Sequence, residues 1–299
     1  MSETVHLLVS PDAGRGRAGG ARETVLSELA AADVEVVDIT GADAVGSGRA
    51  VADVVAAGAG RLIVVGGDGL VHLAVQAVAT SDTVLGVVPV GTGNDFARGI
   101  DGLSDDDLRA SVRTALGPAS PVDAIRTDHG WVASVATAGF SGDINGRANR
   151  LRFPRGPSRY TVATLVELPG MHTHDITVTI DGETFTTPAV LLAVANTGWF
   201  GGGMHICPDA DATDGLLELT IVADVGRLEL LRFFRLVFSG RHLDHPKVHA
   251  HRGREIRVEA PDLAFWGDGE PLGAAPTTMT AVPGALLLAG AHTDPGDRD

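Results

Sequence analysis

The chain has 299 residues, enough for two domains with separate cores, and at 44% hydrophobic and 20% charged residues it has the composition of a folded, water-soluble protein. A net charge of −15 argues against a general nucleic-acid binder, and no apolar run reaches the ~18 residues that a membrane span needs. The start, MSETVHLLVSP, lacks the features of a secretory leader, and a single cysteine, Cys207, excludes an internal disulfide framework, so a reducing cytoplasmic setting is expected.

In chain order, residues 4–10 (TVHLLVS) predict a buried strand, PDAGRGRAGG a loop and 21–32 a helix. Residues 34–39 alternate weakly as a strand, a helix covers about 49–57, 61–65 is a strand, 70–79 a helix and 84–90 a strand. GTGNDFARG then turns into a short helix. Strands alternating with helices predict a parallel sheet with crossovers. From about residue 122 the texture changes to runs rich in Val, Thr and Ile with turn residues between them, which read as an antiparallel β domain. IDGETF (180–185) is a two-residue Asp-Gly hairpin signal, and helices are expected near 158–168 and 226–239. The expected division is an α/β domain over 1–122, a β domain over 123–290 and a loose tail over 291–299.

Gly66-Gly67-Asp68-Gly69 falls between a strand and a helix, at the carboxyl edge of the parallel sheet, where open α/β sheets bind ligands. The missing side chains let a phosphate approach backbone amides, and the helix start adds a favourable partial charge. A second loop of this kind, Gly91-Thr92-Gly93-Asn94, follows the next strand, with Asp95 directly after it. Two such loops, each with an acid, point to a nucleotide held with Mg²⁺. Neither loop is a P-loop, because the Gly-Lys-Ser/Thr ending is absent, and the one lysine, Lys247, is remote in sequence.

VVGGDG followed by GVVPVGTGNDFARGI resembles the diacylglycerol kinase catalytic family, the soluble bacterial lipid kinases that are similar to sphingosine and ceramide kinases. VSPDAGRGRA resembles the family's N-terminal Asn-Pro-x-Ser/Ala-Gly loop, with Ser10 for Asn; PVDAIR, CPDADATDGLLELTIV, SGRHLDHPKV and GDGEPL match further signatures in order, so the resemblance runs from about residue 5 to 290. It implies an α/β nucleotide domain, a C-terminal β-sandwich and an active site in the cleft between them. It implies that Gly66, Gly67, Asp68 and Gly69 cradle ATP phosphates, that Leu70 stands beside them, and that Thr92, Gly93 and Asn94 continue the cradle. Ser10 and Thr40 would line the nucleotide pocket. Asp68, Asp95 and Asp123 would organise Mg²⁺, and one of Asp268 and Glu270, with Asp268 slightly favoured, would be the general base. In the acidic turn Asp209–Asp214, the resemblance implies a metal site apart from the nucleotide, formed by the Asp214 side chain with backbone oxygens of Asp211 and Leu216.

The acids suit the chemistry. Phosphoryl transfer depends on positioning and charge neutralisation, and an attacking alcohol needs a proton acceptor. Without a P-loop lysine, backbone amides, Mg²⁺ and an arginine such as Arg15 or Arg17 would cover the phosphate charge. The family's Thr after GGDG is Leu70 here, and a family acid is Leu73, which leaves turnover and the natural donor open. The expected activity is phosphorylation of a lipid hydroxyl, as on diacylglycerol; a sphingoid or soluble polyol kinase, and a binding protein with little turnover, are the alternatives.

His242, His245, His249 and His251 have no common zinc spacing and read as a loop, and Trp199 and Phe200 fit either a lipid pocket or the core. Residues 145–160 hold Arg147, Arg150, Arg152, Arg155 and Arg159 and no acid, with Leu151 and Phe153 among them. They are expected to dock the protein peripherally on an anionic membrane at its inner face.

Overall fold

The computed structural model describes residues 3–10, 21–104, 106–151 and 158–292. Arg15 and Arg17, and the tail from 293, lie outside the described residues. The chain divides into two compact units, one running to Ala124 and taking up the chain again from Pro283, the other spanning Ile125–Val282. The sequence places a single boundary after 122; instead the chain end returns to the first unit.

The first unit alternates β1 (Thr4–Val9), α1 (Ala21–Ala31), β2 (Glu35–Asp38), α2 (Ala44–Ala56), β3 (Arg61–Gly66), α3 (Asp68–Val78) and β4 (Val84–Pro89), then α4 (Asp95–Arg98), α5 (Leu108–Ala115) and β5 (Ala119–Thr127). Its strands are parallel in the order β2-β1-β3-β4. All six residues of β3, RLIVVG, are buried, as expected where helices cover a parallel sheet. Helix α3 buries Val71, Ala74, Val75 and Val78, a stripe at helical spacing. Leu287 and Leu288, near the chain end, extend this sheet parallel to β4, opposite Val84 and Leu85.

The second unit holds β6 (Gly130–Val132), β7 (Val135–Gly139), α6 (Phe140–Arg150), α7 (Ser158–Glu167), β8 (His174–Ile180), β9 (Glu183–Ala189), β10 (Leu191–Ala195), β11 (Trp199–Phe200), β12 (Met204–His205) and β13 (Leu217–Val222). It continues through α8 (Arg227–Val237), β14 (Val248–Gly253), β15 (Glu255–Glu259), β16 (Ala264–Gly267), β17 (Glu270–Ala274) and the start of β18 (Thr277–Ala289). One antiparallel sheet runs β14-β13-β10-β7-β16-β17, and β18, β15, β8 and β9 form another antiparallel set. Ile176, Val178, Ile256, Val258 and Met279 pack against Ala138, Leu192, Val194, Leu219 and Phe265 to form the sandwich core. Alternate residues of β10, Leu191, Ala193 and Ala195, face Phe140, Ile144, Leu230 and Phe233 of α6 and α8. Burial on both faces explains why LLAVA is a continuous apolar run.

Two helices escape the sequence reading. Helix α5 has a polar composition and is started by Asp107, whose carboxylate accepts the amides of Arg109 and Ala110. Helix α6 carries Gly142 and Gly146, poor helix formers, and is held instead by burial of Phe140, Ile144 and Ala148. The expected histidine loop is also corrected. His249 and His251 lie in strand β14, opposite Ile221 and Leu219, while His242 is fully buried in a 3-10 turn and donates to the Ile206 carbonyl (2.8 Å). Burial pushes the His242 pKa down.

Candidate active site

The parallel order brings the carboxyl ends of β1 to β4 to one edge. Ser10, after β1, donates its amide to the Val65 carbonyl (2.9 Å), and Thr40, after β2, accepts the Val9 amide at Oγ1 (3.0 Å). The glycine loops follow β3 and β4. They meet so closely that a Cβ on Gly91 would stand 2.5 Å from the Gly67 Cα, and one on Gly67 would stand 3.1 Å from the Gly91 Cα. A side chain at Gly91 is excluded, and one at Gly67 would require the second loop to give way. Helix α3 starts at Asp68 with Gly67 as its cap and no side-chain cap bond, so the positive end of the helix meets the loop.

Asp68 joins the two loops. Its Oδ1 accepts the Phe96 amide (3.1 Å), the second residue of α4. Asn94 is buried and holds a left-handed backbone (φ 51°), with Oδ1 2.8 Å from where a Gly91 Cβ would lie; Asp95 beside it is also buried, and Thr92 is exposed. Asparagine is one of the few residues besides glycine that adopts this conformation readily. Leu70 folds back over the strand end, its Cδ2 2.8 Å from a Cβ built on Gly66, and Leu73 lies against Gly48 of α2. Both departures from the expected pattern are therefore packing contacts. Asp123, buried in β5, accepts the Gly284 amide at Oδ1 (2.8 Å).

Asp268 and Glu270 belong to the second unit. Asp268-Gly269 is a two-residue hairpin turn between β16 and β17 with φ of 52° and 87°, the same device as Asp181-Gly182 with φ of 48° and 92°. The similar spellings GDGE and IDGE thus fold alike. Each aspartate also braces its turn: Asp181 accepts the Arg254 and Glu255 amides (3.1 and 2.9 Å), and Asp268 accepts those of Ala133 (2.9 Å) and Ser134 (2.8 Å). Glu270 is exposed at the start of β17.

Asp211, Asp214 and Leu216 share one tight turn. The Asp214 amide reaches the Asp211 carbonyl (3.4 Å) and Asp214 Oδ1 accepts the Leu216 amide (2.8 Å). The positive partner of Asp214 is Arg252, which also pairs with Glu218 (3.0 Å). Among the described residues no group of three His, Cys, Asp or Glu side chains is placed to hold a metal ion. Trp199 stacks on His205 (4.0 Å between ring centres), and Phe200 packs against the core cluster containing Met204.

The second unit contains a cavity of about 420 Å³ that the sequence reading missed, lined by Asp143, Arg147, Arg150, His172, His174 and Trp266 among others. Burial raises the Asp143 pKa, partly opposed by His172, and burial lowers that of His174. Arg147 pairs with Glu167 (2.5 Å), and Leu151 packs against the helix-covered core. Of the described part of the expected membrane segment, Arg147 is half-buried and paired, Leu151 is packed and Arg150 is exposed; Arg152, Phe153, Arg155 and the side chain of Arg159 lie outside the described residues. No helix among the described residues is long and apolar enough to cross a membrane.

Residues 4–127 match the diacylglycerol kinase catalytic domain, and residues 134–290 match the YegS C-terminal NAD kinase beta sandwich-like domain. The chain is 37% identical over 291 residues to the diacylglycerol kinase of Mycobacterium tuberculosis (strain ATCC 25618 / H37Rv), covering 95% of this chain and 94% of the relative. It is 26% identical over 219 residues to the diacylglycerol kinase of Bacillus subtilis (strain 168), covering 72% of each. A crystal structure of a diacylglycerol kinase from Bacillus anthracis str. Sterne superposes with a TM-score of 0.75 at 20% identity, over 98% of both chains, so the fold is shared. With both halves matched in order, and with the two-unit fold in common, the chain belongs to the diacylglycerol kinase family.

Proposed function

We propose that the chain transfers a phosphoryl group from ATP to the hydroxyl of a lipid, with diacylglycerol the first substrate to test. The observation that carries this reading is the crossing of Gly67 and Gly91 at the strand ends, beside the start of α3. A bare backbone at a helix start suits a phosphate chain. The names of the relatives support the acceptor class.

In this reading the amides of the first glycine loop and Asn94 orient the donor phosphates. Asp68 and Asp95, adjacent through the Asp68–Phe96 bond, fit a magnesium ion shared between one or two carboxylates and substrate phosphates. Bound there, the ion would neutralise phosphate charge. The second unit supplies the acceptor side. Its cavity offers hydrogen-bonding side chains beside the Trp266 indole, suited to a polar headgroup with apolar tails. The lipid hydroxyl gives its proton to a carboxylate of the Asp268-Gly269-Glu270 turn. The two amides on Asp268 hold its orientation, and Glu270 is exposed beside it.

Incubation with γ-labelled ATP and a panel of diacylglycerols, sphingoid bases and polyols tests the proposal. Label in an organic-extractable product of diacylglycerol is expected. Label only in a water-soluble product, or ATP binding with no labelled product, would refute it.

A further inference from the structure

Among the described residues, four of the six exposed large apolar side chains lie on the helical side of the second unit, the other two being Val37 and Val45 in the first. Leu228 is 78% exposed, Leu165 54%, Phe238 51% and Val166 49%. Helix α8 explains the pattern. It buries Leu230, Phe233 and Val237 at spacings of three and four. On the opposite side, at the same helical spacing, stand Leu228, half-buried Leu231 and Arg235, with Arg232 between them and Phe238 at the end. This outward face has no acid. Glu229, the one acid of the helix, is turned to Lys247 (3.2 Å) and His245 (3.4 Å). Arg227 donates to the Leu168 and Pro169 carbonyls (3.1 and 2.8 Å), which ties the start of α8 to the turn ending α7, where Leu165 and Val166 are exposed.

We infer that this face of α8, with the end of α7, docks on an anionic lipid bilayer. Exposed leucine and phenylalanine rimmed by arginine, in a chain of net charge −15, form a local exception of the kind that meets anionic headgroups. The guanidinium groups reach phosphates while the apolar side chains enter the acyl boundary. A second copy of the chain is disfavoured as the occupant, because its own arginines would oppose these. The purpose of the surface rests on the lipid-kinase reading, but its existence is measured without ATP.

The test is co-sedimentation of the whole chain with vesicles of phosphatidylcholine alone and of phosphatidylcholine mixed with phosphatidylglycerol. Binding to the mixed vesicles is expected, weakening as salt rises. Leu228→Asp with Phe238→Asp should lower the bound fraction about tenfold or more, since two apolar groups lose their burial. Arg232→Ser with Arg235→Ser should remove the preference for anionic lipid. All four positions face outward, so circular dichroism melts should match the parent. No vesicle binding by the parent, binding insensitive to salt and anionic lipid, unchanged binding of the aspartate variant, or light scattering showing self-association through this face would each overturn the inference. Phosphorylation of a short-chain diacylglycerol dispersed in water keeps the two readings apart. The aspartate variant should retain it, and a parent that binds vesicles as expected yet labels no lipid would sink the kinase reading alone.

Discussion

Asp68 is both a brace and a candidate ligand of phosphate-bound metal, and two substitutions separate the roles. Asp68→Ala removes the acceptor of the Phe96 amide at 3.1 Å and frees the second glycine loop from the first. A hydrogen bond to a charged, half-buried acceptor of this length contributes about 1–2 kcal/mol, and in a chain of this size that lowers the melting temperature by about 3–6 °C. Asp68→Asn keeps a neutral oxygen at the same place, so its melting temperature should fall by about half as much, roughly 1–3 °C. If the charge serves phosphoryl transfer, both variants should lose about 100- to 1000-fold in kcat/KM, or roughly 3–4 kcal/mol of transition-state stabilisation. Scanning calorimetry and a labelled-ATP assay on the same preparations give the two numbers. Asp68→Asn with parental turnover would refute the reasoning and leave Asp68 as a loop brace.

Gly91→Ala should abolish nucleotide binding in calorimetric titration while the chain still folds, because its Cβ would meet the Gly67 backbone at 2.5 Å and force the loops apart; parental affinity would show that the crossing is unrelated to the nucleotide. Asp143→Asn should raise the melting temperature at pH 7 only slightly, because Asp143 is partly exposed and solvent screens its charge. Burial raises the Asp143 pKa above its ordinary 3.8, so its contribution to stability is full below that value and is lost as pH rises through the folded value. The gain should therefore shrink in melts taken towards pH 4, and a gain independent of pH would contradict the burial argument. Cys207 is buried with its thiol pushed up to about 12, so an aromatic disulfide reagent should label it only on unfolding; rapid labelling of the native chain at pH 8 would contradict its placement.

Much of the first unit was legible in the residues because its signals are local. A run such as LIVV between turn residues, repeated with helical stripes between, admits few arrangements besides a covered parallel sheet, and glycine pairs at successive strand ends mark the edge where a ligand approaches. The second unit was legible as β structure for the same reason, down to the Asp181-Gly182 turn. What the residues alone left unsettled depended on partners distant in sequence. Helix α6 forms despite two glycines because Phe140, Ile144 and Ala148 find a sheet to cover. Asp181 and Asp268 are spelled alike, and only the fold reveals that both brace hairpins by taking amides at the links between other strands. Arg147 reads as one of five arginines for a membrane until the fold sets Glu167 beside it, and nothing in the sequence separates Leu228 and Phe238 from Leu230 and Phe233 until α8 turns the latter pair inward. Periodicity and turn chemistry act between neighbours along the chain, so the sequence by itself determined the elements and the glycine edge. Burial, charge pairing and exposure act between residues that meet only after folding, so the tertiary structure alone decided which side chains face the solvent, the cavity or each other.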